Sequence, residues 1–288
     1  MKKIMVLGAR GQLGEAFTRY FDRAEIPYIA VDRAMCDVAD GPALTGFLAG
    51  TDPQALINCS AYNLVDQAED EVDKAFAVNA QAPRLMAEFC SARKIKLVHF
   101  STDYVFDGRQ TTPYIEVDEP GPLSVYGRSK LAGERLVLET GGGHLVFRLS
   151  WVQGRGRNNF LYKVREWMSK SAELRIASDE VSVPTFTHRI VDVVCEARKA
   201  RLAGLYHLTN SGQASRYEWV VEYLRQAGIQ DQTVLAVSRN AFGSRAERPG
   251  YSVLSNKALA RALQITIPHW RDDLKVYVDQ LAREGKSA

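Results

Sequence analysis

Five short apolar runs limit the fold of this chain more than any other feature of its sequence. They are rich in Val, Ile and Leu and show little alternation, which is typical of parallel strands buried on both faces. The runs cover residues 3–8, 28–32, 55–60, 96–101 and 144–150. Helix-like segments separate them at residues 12–23, around 42–49, 71–91 and 126–138. This alternation predicts an α/β fold with a doubly wound, Rossmann-like parallel sheet and right-handed crossovers.

The first strand runs directly into a glycine-rich turn, GARGQLG at residues 8–14. Glycine allows positive φ and lets backbone N–H groups approach a pyrophosphate, and the helix that follows adds a favourable dipole. A glycine pattern alone is also compatible with a simple tight turn. Its place between a strand and an apolar helix favours a dinucleotide site built on Gly8, Gly11 and Gly14.

Charged residues at the end of the second strand leave the choice of cofactor open. Asp32 can accept hydrogen bonds from the adenosine ribose, which favours NADH, and its charge repels a 2′-phosphate. Arg33 and Arg10 can instead bind that phosphate, which favours NADPH. Asp37 also has two interpretations. It contacts the adenine amine, or it caps the following helix, which is the commoner use of such an aspartate.

The length, net charge and composition are those of an ordinary globular protein. It has 288 residues, a formal net charge of +3 and 46% hydrophobic residues, with no run near the ~20 apolar residues of a membrane span. This charge is too low to indicate a nucleic-acid partner, but it suits a small anionic ligand. The four cysteines form no CxxC pair, and no His, Asp or Glu cluster has metal-ligand spacing. We expect a cytoplasmic protein without a metal, a membrane partner or disulfides, and leave a homodimer open.

The alternation of strands and helices changes after residue 150. Residues 160–169 and 190–201 predict helices, residues 173–177 a strand, and residues 204–210 a last strand of the sheet. Pro184 indicates an extended segment around it. We expect a dinucleotide-binding domain at residues 1–151, to which 188–210 return. A smaller α/β substrate-binding domain is expected at 152–187 and 211–288.

Three polar segments follow predicted strands or open the next helix: NCSAYN at 58–63, STDYVFDG at 101–108 and YGRSK at 126–130. In a parallel sheet such segments meet at the carboxyl ends of the strands, where ligands bind. Together with the glycine turn, they resemble the extended short-chain dehydrogenase/reductase superfamily. Within it, they and SWV, NNF, VPT and RPGYSVL are similar to the dTDP-4-dehydrorhamnose reductase family, in family order and over nearly the whole chain.

The resemblance implies that Thr102, Tyr126 and Lys130 form the catalytic set of a reductase. Elementary chemistry agrees, because a phenol with a pKa of about 10 is a poor proton donor at neutral pH and a nearby ammonium lowers that pKa. Tyr126 would protonate the alkoxide formed by hydride transfer, and the Thr102 hydroxyl would hydrogen-bond the carbonyl oxygen. The plain alternative is a surface Tyr/Lys pair, since positions four apart on a helix share a face.

The resemblance also assigns the remaining site residues. NADPH or NADH would bind to Gly8, Arg10, Gly11, Gln12, Leu13, Gly14, Asp32, Arg33, Asp37, Ser60, Ala61, Tyr62, Asn79, Tyr126 and Lys130. A nucleotide-sugar substrate would bind to Asn63, Val65, Asp103, Tyr104, Trp151, Asn159 and Arg248, with Asn158 and Arg245 as further candidates. Asn79 has a structural alternative, as a buttress for the loop after the fourth strand. Trp151 has one as a core aromatic.

Tyr104 narrows the choice of reactions within the superfamily. Related 4,6-dehydratases carry Thr-Asp-Glu at this place and eliminate water with the acid pair, whereas this chain has Thr-Asp-Tyr at residues 102–104. The missing glutamate favours a plain reduction of a 4-keto sugar. The family pattern breaks at Asn63, Gln153 and residues 180–182, near the expected sugar pocket, so the exact sugar stays open. Two alternatives remain: a regulatory subunit resembling the beta subunit of methionine adenosyltransferase, and a nucleotide-sugar epimerase.

Overall fold

The computed structural model describes residues 2–156 and 159–285. The strands are β1 (Ile4–Leu7), β2 (Tyr28–Val31), β3 (Ala55–Asn58), β4 (Lys96–Thr102), β5 (Leu145–Leu149), β6 (Val152–Gln153), β7 (Glu173–Ala177), β8 (Val181–Ser182), β9 (Thr185–Phe186), β10 (Gly204–His207), β11 (Ala214–Ser215) and β12 (Thr233–Val237). The α-helices are α1 (Gln12–Arg23), α2 (Gly41–Ala49), α3 (Val72–Phe76), α4 (Ala82–Ala92), α5 (Val125–Glu139), α6 (Phe160–Met168), α7 (Thr187–Lys199), α8 (Arg216–Ala227), α9 (Lys257–Leu263) and α10 (Trp270–Gly285). Among the helices of these described stretches, none combines the length and the apolar character needed to cross a membrane.

A six-stranded sheet in the order β10-β5-β4-β3-β1-β2 forms the centre of the fold. Every neighbouring pair in it is parallel. Successive side chains of β1 enter opposite cores, with Val6 packed beside Phe17 and Leu7 packed beside Met86. Burial on both faces explains why these strands are almost continuously apolar in sequence. The predicted doubly wound α/β fold is confirmed.

The strand order reverses at β1. The chain leaves β1 for β2 on one side, and then crosses over to β3 on the other side. The chain therefore leaves the carboxyl ends of β1 and β3 for helices on opposite faces of the sheet, and such a switch point is the usual ligand position in these folds.

The helix predicted at residues 71–91 forms without a break over residues 72–92, but its hydrogen-bond pattern changes in the middle. It consists of α3, a π-helical turn at Ala77–Gln81, and α4. The turn packs against α5, where a side chain on Gly133 would collide with the backbone oxygen of Asn79. This close approach of two backbones requires glycine and accompanies the widened turn.

The C-terminal half has a separate core. Buried side chains of α6, α8 and α10, among them Trp219, Leu224 and Trp270, pack against the parallel pair β7 and β12. Strand β10 and helix α7 instead belong to the central sheet and its core. On this basis we propose the division into two domains, with residues 188–210 returning to the first. Helix α9 also packs into the core of the central sheet, through Leu259, so the assignment of all residues 211–288 to the second domain is wrong.

Candidate active site

The glycine turn after β1 is pressed against the start of the loop after β3. Gly8 has φ of +72°, and a Cβ there would lie 2.7 Å from the backbone nitrogen of Ser60. A Cβ on Gly14 would collide with the Gly8 oxygen. Helix α1 begins at Gln12, and its N-cap, Gly11, offers no side-chain hydrogen bond. The helix start is thus open to an anion that needs backbone N–H donors.

Two predicted cofactor residues in this turn have structural side chains. The Gln12 amide donates to the Val152 oxygen at 3.1 Å and accepts from the Gly154 nitrogen at 2.9 Å. Leu13 packs against the apolar core. Their contribution to a bound dinucleotide is therefore limited to the backbone, while Gln12 also ties α1 to the loop after β6.

Each carboxylate at the end of β2 is paired with an arginine. Arg10 lies 2.6 Å from Asp32, and Arg33 donates to Asp37 at 3.0 and 3.1 Å. A hydrogen bond from the Ala39 backbone and the Arg33 guanidinium hold the pKa of Asp37 low against the effect of partial burial. Asp37 does not cap the next helix. That position belongs to Asp40, whose side chain accepts from Ala43, so the capping interpretation of Asp37 is wrong.

Hydrogen bonds from the Asn79 side chain hold the loop after β3 in place. The Asn79 side chain accepts from the Tyr62 nitrogen at 2.9 Å and donates to the Tyr62 oxygen at 3.0 Å and to Ser129 at 3.0 Å. Asn79 thus buttresses the loop after the third strand, not the fourth as the sequence suggested. Ser60 donates to Asn58 from both its nitrogen and its hydroxyl. Ala61 lies between these anchored residues.

Thr102 and Tyr126 meet at the carboxyl end of β4. Thr102 is the last residue of that strand, and Tyr126 lies in the first turn of α5, which Ser124 caps. Burial raises the pKa of Tyr126, a hydrogen bond with Thr102 opposes this effect, and the charge of Asp103 adds to it. These surroundings keep Tyr126 protonated at neutral pH, whereas the sequence predicted a lowered pKa. The protonated phenol is the form that a proton donor needs.

Lys130 lies one turn after Tyr126 and is buried. Its ammonium donates to the Phe100 oxygen at 2.5 Å. Burial lowers its pKa to about 8, and the nearby charge of Glu134 opposes this shift. Glu134 itself forms a buried bidentate pair with Arg148 on β5. This pair fixes α5 against the sheet and so positions both Tyr126 and Lys130.

Tyr104 connects Tyr126 to the C-terminal domain. Its ring meets the Tyr126 ring edge to face, with centroids 5.7 Å apart. Burial raises the pKa of Tyr104 to about 12, and Arg216 and Arg248 act against this effect while Glu180 adds to it. The Tyr104 side chain is therefore within electrostatic reach of three charged residues of the other domain.

Those charged residues belong to a cavity of about 450 Å³ in the C-terminal domain. Aromatic and cationic side chains dominate its lining, including Trp151, Phe160, Trp219, Lys163, Arg175 and Arg216. The Arg216 guanidinium lies 3.6 Å over the Trp151 ring, and the Trp219 ring stacks on it with centroids 5.7 Å apart. Trp151 lines the cavity and also packs against the C-terminal core, as its structural alternative predicted. Sequence reasoning missed Arg216. The sequence near Arg216 contains a capping box, Ser215 and Glu218, which predicts that α8 begins there. It does not predict that the Arg216 side chain stacks on Trp151.

The residues predicted to bind the nucleotide do not all line this cavity. Asn159 lines the cavity and caps α6, while Asn158 lies outside the described residues. Arg248 lines the cavity too, but its guanidinium donates to Asp66 at 2.7 and 3.1 Å. Arg245 forms a similar pair with Asp70. Both arginines thus join the C-terminal domain to the loop after β3, where Asn63 is exposed and Val65 half-buried.

Gln153 does not face this cavity. It is fully buried, and its amide donates to Asn159 at 2.7 Å while its oxygen accepts from the Leu161 nitrogen. Gln153 thus holds the start of α6 and lies next to the cavity through Asn159, near the expected sugar pocket but not in its lining.

Comparison with known proteins identifies the family. A family model described as RmlD substrate binding domain matches residues 1–283. The dTDP-4-dehydrorhamnose reductase of Sinorhizobium fredii is 34% identical, in an alignment that covers 99% of this chain and 100% of that protein. The chain belongs to the dTDP-4-dehydrorhamnose reductase family.

Two further relatives show how widely the family extends. The spore coat polysaccharide biosynthesis protein SpsK of Bacillus subtilis is 35% identical, covering 97% of this chain and 98% of that protein. The crystal structure of dTDP-4-dehydrorhamnose reductase from Bacillus anthracis in complex with NADP has a TM-score of 0.92 at 30% identity, over 97% of this chain and 100% of that one. The likeness thus extends across both domains.

Proposed function

We propose that this protein is an NAD(P)H-dependent reductase of a nucleotide-linked 4-keto-6-deoxysugar, with dTDP-4-dehydrorhamnose as its substrate and dTDP-rhamnose as its product. The observation that carries the proposal is the contact of Tyr104 with Tyr126 on one side and its electrostatic link to the basic, aromatic cavity on the other. This arrangement puts a proton donor beside a site suited to a nucleoside diphosphate. The named reductases in the family support it, and they do not favour a regulatory subunit or an epimerase.

The residues around the glycine turn fit a dinucleotide. Gly8 and Gly14 leave no room for a side chain, and the start of α1 carries no side-chain cap. When bound there, the reduced nicotinamide supplies the hydride. Arg10 neutralises Asp32 and Arg33 is largely exposed, which supports binding of a 2′-phosphate and hence of NADPH. The NADP complex of the Bacillus anthracis relative agrees with this choice.

Tyr126 provides the proton in this mechanism. As hydride adds to C4 of the sugar, the phenol O–H bond breaks and a new O–H bond forms on the sugar oxygen. Burial keeps the phenol protonated beforehand. Lys130 lies one turn further along α5 and donates to the Phe100 oxygen, so its charge would stabilise the phenolate only through space. Tyr104 cannot act as a carboxylate base beside the ketone, so elimination of water is not supported.

The cavity provides the nucleotide site. Lys163, Arg175 and Arg216 offer cations for a diphosphate. Phe160 and Trp151 line the same cavity and provide apolar surface beside them for a base or a deoxysugar. The four free cysteines support a reducing compartment such as the cytoplasm.

The direct test is a substrate panel. Purified protein is mixed with NADPH or NADH and with dTDP-, UDP- and GDP-linked 4-keto-6-deoxysugars, and the absorbance of the reduced cofactor is followed. We expect the fastest oxidation with dTDP-4-dehydrorhamnose. Absence of oxidation with every sugar would contradict a reductase, and a faster rate with another sugar would correct the substrate.

A further inference from the structure

Arg216 is a cation held against aromatic rings in the wall of the cavity. Its guanidinium lies 3.6 Å from the ring centre of Trp151, 4.7 Å from that of Phe160 and 5.7 Å from that of Trp219. The side chain is 18% exposed. Because the ring faces attract the cation directly, this stacking fixes the plane of the guanidinium without using its N–H donors.

The hydrogen-bond donors of Arg216 remain available to a ligand. A guanidinium carries five N–H donors. In the part of the chain that the structure describes, its one ion pair is with Glu180, whose carboxylate oxygen lies 3.7 Å from Nε, beyond hydrogen-bond distance. The backbone sets the position of the residue, because the Arg216 nitrogen donates to the Glu180 oxygen at 3.2 Å. A mostly buried cation with unused donors favours an anionic ligand.

The other arginines that line the cavity are less suited to bind a phosphate. Arg248 donates to Asp66 at 2.7 and 3.1 Å and to the Ala246 oxygen at 3.1 Å, so its donors already have partners. Arg175 is exposed and would lose more conformational freedom on binding. Arg216 is thus the guanidinium of the cavity that is both fixed in place and free to donate.

Arg216 also lies near the catalytic threonine. Its partner Glu180 precedes β8, and within β8 the Ser182 hydroxyl donates to Asp103 at 3.0 Å. Asp103 in turn accepts from Thr102 at 3.1 Å. A strand rises about 3.3 Å per residue, so Glu180 and Ser182 are about 7 Å apart, which is the scale of one sugar ring. In a nucleotide-linked 4-keto sugar, the phosphate on C1 and the carbonyl at C4 lie at opposite ends of such a ring.

The backbone of Trp151 shows that this part of the cavity is pre-organised. Its φ of +38° is a strained conformation for a bulky side chain, and such strain persists only where surrounding contacts fix it. The contacts are the Arg216 guanidinium, the Trp219 ring and a hydrogen bond from the Thr185 nitrogen to the Trp151 oxygen at 3.2 Å.

We propose that Arg216 anchors the phosphate that carries the sugar and thereby sets the distance between the carbonyl carbon and the catalytic residues Thr102 and Tyr126. This inference rests on the proposed reductase function and deepens it. It selects one cation of the cavity and gives it a defined place along the substrate.

The test compares Arg216→Met with Arg271→Met. Methionine keeps the apolar bulk of the arginine stem but removes the charge and the donors. Arg271 is the matched control, because its guanidinium also stacks on a tryptophan, 4.5 Å from the ring centre of Trp270, but does not line the cavity. The dissociation constants of dTDP and of thymidine, which lacks phosphates, are measured by ligand-observed NMR in the presence of NADP⁺.

The two ligands separate an anion contact from the shape of the cavity. Arg216→Met should weaken binding of dTDP by about tenfold or more and leave thymidine within about twofold of the wild type. Arg271→Met should leave both ligands within about twofold. Arg216→Lys restores the charge without the fork, so its affinity for dTDP should lie between those of the wild type and Arg216→Met. KM for the nucleotide sugar should rise in the same order, with KM for NADPH unchanged.

Equal losses of dTDP and thymidine affinity in Arg216→Met would reduce Arg216 to a packing residue of the cavity wall. Unchanged affinity for dTDP in that variant, or no binding of dTDP by the wild type, would overturn the anchor. Lack of turnover with every sugar would refute the reductase, but the titrations with dTDP and thymidine would still decide the inference.

Discussion

At the scale of single residues, the site depends on which hydrogen bonds a buried group can make. Tyr126 remains a phenol because its surroundings disfavour charge, and Lys130 donates to a backbone oxygen rather than to the phenol. The spacing of four residues places these groups on one face of α5. The partners of each group, which set its protonation, come from β4.

Replacement of Tyr126 by phenylalanine should abolish proton donation with little effect on cofactor binding. We expect kcat to fall by about 10²–10⁴-fold, the usual contribution of a general acid. The dissociation constant of NADPH, measured by fluorescence titration, should stay within a few-fold of the wild-type value. Near-normal turnover of Tyr126→Phe would show that another group supplies the proton.

Arg33 should decide the preference between NADPH and NADH. Its guanidinium is exposed and pairs with Asp37, so a 2′-phosphate can take over its hydrogen bonds. We expect Arg33→Ala to raise KM for NADPH about tenfold, as for the loss of one charge-assisted pair, with little change for NADH. Arg19→Ala, on the exposed side of α1, is the matched control. Equal effects on both cofactors would exclude a phosphate contact.

At the scale of elements, two glycines within helices differ in whether the surrounding fold leaves room for a side chain. Gly14 lies in α1 where a Cβ would collide with the Gly8 oxygen, whereas Gly46 lies in α2 with open space around it. The sequence shows both as helical glycines. The neighbours that distinguish them come from the fold of the glycine turn.

Gly14→Ala should disrupt the glycine turn and weaken NADPH binding by at least tenfold, because the turn must open to admit the methyl group. Gly46→Ala should instead stabilise the protein by about 0.5–1 kcal/mol, since alanine is the better helix former. Thermal melts and cofactor titrations of the two variants test the pair. Unchanged cofactor affinity in Gly14→Ala would contradict the role of the close turn.

At the scale of the whole molecule, a buried carboxylate on α10 holds the C-terminal helix to the central domain. Asp273 accepts from Arg189 on α7 at 3.0 Å and from Asn210 at 2.5 Å, and His188 lies 3.1 Å away. Burial acts to raise its pKa, but these partners outweigh burial and lower it. The ionised form therefore stabilises the fold.

Asp273→Asn should destabilise the protein by about 3 kcal/mol at neutral pH, as when a buried pair loses one partner. A lowered pKa gives stability that is present above the unfolded value of about 4 and is lost as pH falls further. The difference between variant and wild type in urea unfolding should therefore shrink below pH 4. Asp279→Asn, at an exposed position of the same helix, should have little effect at any pH. A difference independent of pH would assign the loss to packing.

The fold class, the position of the glycine turn and the family can all be predicted from the amino-acid sequence. These depend on local patterns: apolar runs buried on both faces, glycines between a strand and a helix, and motifs in a given order. The sequence also predicts the catalytic set Thr102, Tyr126 and Lys130, and the structure places Thr102 at the end of β4 and the other two on α5.

The hydrogen-bond and ion-pair partners of the polar side chains depend on the tertiary structure. Gln153 turns inward, Asn79 holds the loop after β3, and Arg248 pairs with Asp66 across the domains. Arg216 gains its place over Trp151 in the same way. Hydrogen bonds and ion pairs between residues far apart in the chain depend on how the domains pack, and no local pattern records that packing.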